Sequence, residues 1–244
     1  MFPIRDHNPS ERTPYVTYAL MAVNILVFLI MTASLEGDRA LARFYWDWGL
    51  VPAKVTEGLG YGGFLTSMFL HGGFMHLAGN MLFLFIFGDN LEDELGHLGF
   101  TLFYIASGLG AAGLQFAADP TSLVPMIGAS GAIAGVMGGY LLLFPRARVD
   151  VLIIIVVFFK IFPVPAWLML LVWFGLQLFN GAAGADAGIA YWAHAGGFVV
   201  GFLWVLPKWL REGGPEFWRR SQGHPDHPAA RYGRSGVPIV RRRK

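Results

Sequence analysis

Gly128-Ala129-Ser130-Gly131 sits inside an uncharged run, 121–144, and two other uncharged runs carry His76 with Asn80, and His194. These residue types belong together in acyl transfer. A serine hydroxyl is a poor nucleophile until a base within hydrogen-bond reach takes its proton, and imidazole titrates in the range that task needs. His194 is the candidate base for Ser130. His76 and Asn80 are four apart, hence stacked on one helical face, and both can donate to the oxyanion of a tetrahedral intermediate, with the Ser130 amide as a third donor. Every Asp and Glu falls in a loop or tail on the reading below, so the site is expected to be a dyad without an acid. Each piece also has a plainer reading. A serine in an apolar helix commonly bonds to its own backbone or lets two helices approach. An isolated histidine packs or relays protons. His71-Gly72-Gly73 can be the irregular start of a span, and a His71/His76/His194 metal site would lack carboxylate or thiolate support. Only the combination, on three runs at one depth, is specific.

Those side chains need a scaffold, and composition indicates which. Of 244 residues, 55% are hydrophobic and 14% charged, with a mean hydropathy of +0.51. About 20 residues of apolar helix cross the roughly 30 Å hydrocarbon core of a bilayer, and in lipid a helix satisfies its own backbone. The apolar runs predict an all-α, multi-pass membrane protein with six transmembrane helices, at 17–35, 64–87, 98–118, 126–144, 163–180 and 187–206. A long first connection, 36–63, carries Phe44, Tyr45, Trp46, Trp48 and Tyr61, aromatics that suit the membrane–water interface. An acidic turn, 88–97, a turn at 119–125 and a small-residue loop, 181–188, join later spans. The β-branched stretch 151–159 is too short to span and is expected in the interface or under the bundle. Residues 1–13 read as a polar N-terminal segment, 14–207 as one six-helix domain, and 208–244 as a basic, disordered tail. The first run lacks a small-residue cleavage site and reads as a retained span rather than a signal peptide. With no cysteine, a disulfide framework, a thiol nucleophile and a thiolate metal site are excluded.

Six spans put both termini on one side. That side collects 15 of the 18 Lys and Arg, and the short loops alone divide five to three the same way. The positive-inside rule therefore predicts cytoplasmic termini. Ser130, His194, His76 and Asn80 then all fall in the outer half of the membrane. Gly128, Gly131, Gly135 and Gly138 line the fourth span, while Gly197 and Gly201 share the face of His194. Two small-residue strips let backbones approach closely, which a Ser–His hydrogen bond between helices requires. A transporter or proton relay predicts carboxylates within spans or inverted repeats, and the sequence has neither. The tail reads as topogenic and lipid-touching rather than nucleic-acid-binding.

The motifs Gly-x-Ser-Gly at 128–131, His-x4-His-x3-Asn at 71–80 and Ala-His-x-Gly-Gly-x3-Gly at 193–201, in this order, resemble the rhomboid family of intramembrane serine proteases. The resemblance covers roughly residues 14–207. It implies a Ser130–His194 dyad, with His76, Asn80 and the Ser130 amide as oxyanion donors and His71 as a structural or water-retaining residue. It also implies a short fourth helix opening onto a wet cavity, a fifth helix and 181–188 loop serving as gate and cap, and no metal or organic cofactor. The partners it implies are transmembrane protein substrates and the bilayer, and the location a bacterial plasma (inner) membrane. A catalytically silent rhomboid-like binder of membrane segments is the alternative, though a binder needs none of the four polar groups. Two departures stand out. Many members have an aromatic residue four after the serine, against the catalytic histidine, where this chain has Ala134. Many have a Trp-Arg pair before the second helix, where this chain has Gly62-Gly63. The orientation of His194 and the anchoring of the first loop must therefore come from elsewhere.

Overall fold

The structure is a computed structural model and describes residues 2–8, 10–155, 158–184, 189–224, 230–232 and 238–240. Helix dominates. α1 (Tyr15–Ser34) is followed by three shorter helices, α2 (Asp38–Trp48) and α3 (Pro52–Thr56) in the first connection and α4 (Gly63–Thr66) at the start of the expected second span, and then a 3-10 turn at Ser67–Phe69. α5 (Phe74–Ala118) covers 45 residues but bends at Gly96, whose φ of 69° is a left-handed conformation favouring glycine. α6 (Ser130–Leu143), α7 (Ala166–Ala182), α8 (Tyr191–Arg211) and α9 (Pro215–Ser221) complete the set.

Among the described residues two helices, α1 and α5, are long and apolar enough by themselves to cross a membrane, and α6 and α7 are apolar but shorter. Six uniform spans are thus replaced by helices of unequal length. The expected second span is broken at residues 70–73, because His71-Gly72-Gly73 starts a new helix. The expected acidic turn is helical until Gly96. The outside of the bundle is apolar: Leu29 and Ile30 on α1, Leu98 and Leu102 on α5, and Leu176 and Phe179 on α7 are exposed. Such a continuous apolar exterior is stable against lipid and not against water.

α6 is the centre of the packing. It has 14 residues, about 21 Å at 1.5 Å per residue, and twelve of them are buried by α5 and α8. Its approach to α8 is backbone to backbone. A Cβ on Gly197 would overlap the Gly131 carbonyl, one on Gly201 the Gly135 carbonyl, and one on Gly138 the Phe198 carbonyl. This is the close contact that the small-residue strips predicted.

The all-α expectation needs correction. β1 (Phe2–Asp6), β2 (Arg148–Ile155) and β3 (Phe158–Pro165) form an antiparallel sheet in the order β1-β2-β3. The β-branched stretch that is too short to span is extended because its neighbours offer a ladder. Asp150 pins β1 to β2, accepting from Arg5 Nε at 2.7 Å and bonding His7 Nε2 at 2.7 Å. Burial opposes its charge, but these two partners outweigh burial and hold its carboxyl below the usual range. Asp6 on β1 accepts from the Tyr140 hydroxyl of α6 at 2.9 Å and from Asn90 at 3.3 Å. Burial, then the neighbouring Asp89 charge, push its carboxyl up to about 7.

The acidic segment also has a structural task that its charge alone did not reveal. The Glu92 carboxylate is 2% exposed and accepts from the Val16 amide (2.9 Å), the Thr17 amide (2.8 Å) and the Thr17 hydroxyl (2.8 Å). It therefore caps the unsatisfied N–H groups that open α1. Asp93 takes the amides of Glu11 and Arg12 in the preceding segment.

The expected disordered tail is in part helical. α8 continues through Pro207 to Arg211, and α9 folds back so that Trp218 Nε1 donates to the Leu142 carbonyl at 2.8 Å, closing the C-terminal end of α6. Residues 225–229, 233–237 and 241–244 of the tail lie outside the described residues, and a short antiparallel pair joins β4 (Ala230–Tyr232) to β5 (Pro238–Val240).

Candidate active site

Ser130 is the first residue of α6, not a position one turn inside a span. The chain before it is extended: Met126 pairs with Leu50, and the Gly128 amide donates to the Ser67 carbonyl at 2.9 Å. Gly128 therefore precedes the helix and belongs to no helical strip. Pairing of this strand with residues 50–53 also supplies the anchoring of the first connection, and Gly63 fits there because its missing Cβ leaves room for the Gly49 carbonyl.

His194 is in the first turn of α8, and its Nε2 lies 2.8 Å from Ser130 Oγ. Sixty-four residues separate the two in sequence. An alcohol with an imidazole nitrogen at this distance has the acceptor that general-base activation requires. Gly131, Gly197 and Gly201 hold the two helices close enough for it.

His76 occupies the first turn of α5. Its Nδ1 accepts from the Gly72 amide at 3.3 Å, which leaves Nε2 to carry the proton. A Cβ built on Gly128 would sit 2.8 Å from His76 Nε2 and 3.5 Å from Ser130 Oγ. The glycine thus keeps open a space within reach of both atoms, where the oxygen of a bound carbonyl can lie. Its φ of 128° is a further reason for glycine there. Asn80, one turn on from His76, is buried, and its Nδ2 has no hydrogen-bond partner among the described residues. The Ser130 amide, at a helix N-terminus, is among those without an intrahelical acceptor.

His71 lies in the break before α5. It is 1% exposed, its ring meets His76 edge-on at 5.1 Å, and its carbonyl accepts the Tyr45 hydroxyl at 3.0 Å. The geometry supports a packing role behind His76.

The sequence did not point to Gln177 and Trp173 of α7. Gln177 Oε1 is 2.8 Å from His194 Nδ1, and the Trp173 ring lies 5.7 Å from the imidazole at 34°. An amide inside the otherwise apolar stretch 163–179 was the available signal. These two side chains contact the imidazole, where Ala134 offers no aromatic ring.

A cavity of about 290 Å³ is lined by His76, Gly128, Ser130, His194 and Ile189, among others. A neighbour of about 380 Å³ shares His76, Ile127, Ile189 and Ala190 and reaches Gly72, Gln115 and Ser122. Both exceed the roughly 30 Å³ one water occupies, and their linings carry polar groups. The gate and cap expected at 181–188 is the end of α7 and a turn up to Gly184, while 185–188 lie outside the described residues. Among the described residues no group of three or more His, Cys, Asp or Glu is placed to hold a metal.

The stretch of chain that holds these residues matches a known protein class. The rhomboid domain model matches residues 60–211, more than half of the chain. The chain belongs to the rhomboid family, whose members are embedded in membranes. It is 33% identical over 208 residues to "Rhomboid protein 1, mitochondrial" of Saccharomyces cerevisiae, covering 79% of this chain and 54% of the yeast protein. It is 33% identical over 155 residues to "RHOMBOID-like protein 4" of Arabidopsis thaliana, covering 64% and 36% respectively. It is 40% identical over 77 residues to "Putative rhomboid protease YdcA" of Bacillus subtilis, covering 32% and 38%. The chain thus spans about half of the yeast relative's length or less of the others. The relatives' names include mitochondrial and chloroplastic proteins, so they do not single out a bacterial plasma membrane.

Proposed function

We propose that this protein is a serine endopeptidase that cuts peptide bonds in or beside transmembrane segments of other membrane proteins. The observation carrying this reading is the 2.8 Å contact of Ser130 Oγ with His194 Nε2 beside a gap bounded by His76 Nε2. Ser130 attacks the scissile carbonyl carbon as its proton passes to His194. His76, Asn80 and the Ser130 amide donate to the oxyanion. The intermediate collapses as His194 returns the proton to the leaving amine, and water then attacks the ester, again with His194 as base. The substrate must unwind locally, because a helical peptide bond has its carbonyl already hydrogen-bonded and its carbon shielded. Six crossings, formed by α1, the two arms of α5, α6, α7 and α8, would put both termini on the side that carries most of the Lys and Arg.

The test is cleavage of a model transmembrane substrate in detergent by wild type, Ser130→Ala and His194→Ala, with fluorophosphonate labelling of Ser130. Both variants are expected to lose cleavage, and Ser130→Ala also the label. Equal cleavage by all three defeats the mechanism. An unlabelled, inactive wild type points instead to a silent binder of membrane segments.

A further inference from the structure

Gln177 is buried on α7, where the other buried residues, Ala166 and Leu170, are apolar. A buried amide in such a place is costly unless bonded. Its Nε2 donates to the carbonyl of Trp173, one turn earlier on the same helix, at 3.4 Å, and its Oε1 faces His194 Nδ1 at 2.8 Å. The carbonyl of Trp173 can only accept, so the amide's orientation follows from its own helix. Oε1 in turn can only accept, so His194 Nδ1 carries the proton and Nε2 offers its lone pair to Ser130. This is the tautomer a base for Ser130 needs. Trp173 limits the ring from one face, while His76 is the other titratable side chain lining the same cavity.

We propose that Gln177 is the positioning residue of this site, a neutral third member behind Ser130 and His194 that selects the imidazole tautomer and angle. The proposal rests on the reading of those two residues as the reacting pair. A neutral amide orients the ring without burying a carboxylate, whose desolvation here would be expensive. Its placement on α7 also makes the readiness of His194 depend on where α7 stands.

The test uses the full chain in detergent, as wild type, Gln177→Met and Gln177→Glu. Substrate cleavage, the pH profile of kcat/KM and the rate of fluorophosphonate labelling at Ser130 are compared. Gln177→Met keeps the volume and loses the acceptor. Its kcat and labelling rate should fall about ten- to a hundredfold, the worth of one hydrogen bond to a ring that becomes charged, with KM changed less than about twofold. Gln177→Glu restores an acceptor and adds a negative charge, so labelling should be rescued and the acidic limb of its profile should move to higher pH. Should Gln177→Met fail to fold, the profile of Gln177→Glu decides. Undiminished kcat in Gln177→Met, or a Gln177→Glu profile superimposable on wild type, overturns the proposal while leaving the protease reading intact. A wild type that neither cleaves nor labels overturns both.

Discussion

The place a Cβ would need on Gly201 is already filled by the backbone of Gly135. α6 and α8 therefore touch main chain to main chain just below the Ser130–His194 pair. Gly201→Ala should force the helices apart, at a cost of about 1–3 kcal/mol for an overpacked core position, and lower Ser130 labelling at least tenfold. Gly175 on α7 has nothing within 4 Å of its hypothetical Cβ. Gly175→Ala should be neutral or stabilise by up to about 1 kcal/mol through helix propensity. Thermal unfolding in detergent, run beside labelling, distinguishes the two.

The gap in front of Ser130 predicts a second set of variants. Gly128→Ala would put a methyl within 2.8 Å of His76 Nε2, in a backbone conformation that alanine rarely adopts. Its turnover should fall by about a hundredfold or more, the usual consequence of losing an oxyanion donor. His76→Ala and Asn80→Ala should each lower kcat by a comparable factor with a smaller effect on KM. Steady-state kinetics on one model substrate checks all three.

The sheet at the other end of α6 responds to pH through two carboxyl groups shifted in opposite directions. Asp6, ordinarily near 3.8, is pushed up to about 7 in the fold by burial and Asp89. The folded state then binds more protons than the unfolded one between those values. Its contribution is complete below about 4 and is lost as pH rises through 7. Asp150, held low, contributes above its ordinary 3.8 and is lost as pH falls below that value. Hydrogen exchange at residues 2–6 should therefore quicken between pH 5 and 8, beyond the intrinsic rate. Asp6→Asn, which keeps an acceptor for Tyr140, should flatten that rise.

Glu92 makes a fourth case. Truncation in Glu92→Ala leaves two amides and a hydroxyl at the start of α1 without their acceptor, a loss of about 3 kcal/mol. Glu92→Gln retains one oxygen and should lose less. Thermal unfolding reports the ranking.

Much of the site was legible before any coordinate. Ser130, His76, Asn80 and His194 announce themselves as polar side chains in uncharged runs, and the glycines at 131, 197 and 201 declare a close helix contact. Gln177 did not, because an amide that merely accepts carries no charge to set it apart in an apolar helix. Helix lengths were legible only as apolar runs. Hydropathy cannot tell residues 126–128, which lie outside any helix with Met126 paired to Leu50, from the helix that follows. The strands escaped for a related reason: Phe2–Asp6 finds its partner some 145 positions later, as Arg5 with Asp150, and no local pattern records so distant a pairing.

That distance has a bearing on how the chain comes to be built. β1 leaves the ribosome well before β2, so its ladder cannot close until residues 149–152 have been made. Tyr140, which receives Asp6, arrives scarcely sooner. The opening residues must wait, unpaired, while most of the bundle assembles beside them. Made well before the residues that hold them, they are secured late, and their closure latches the opposite end of the same short helix that begins at Ser130.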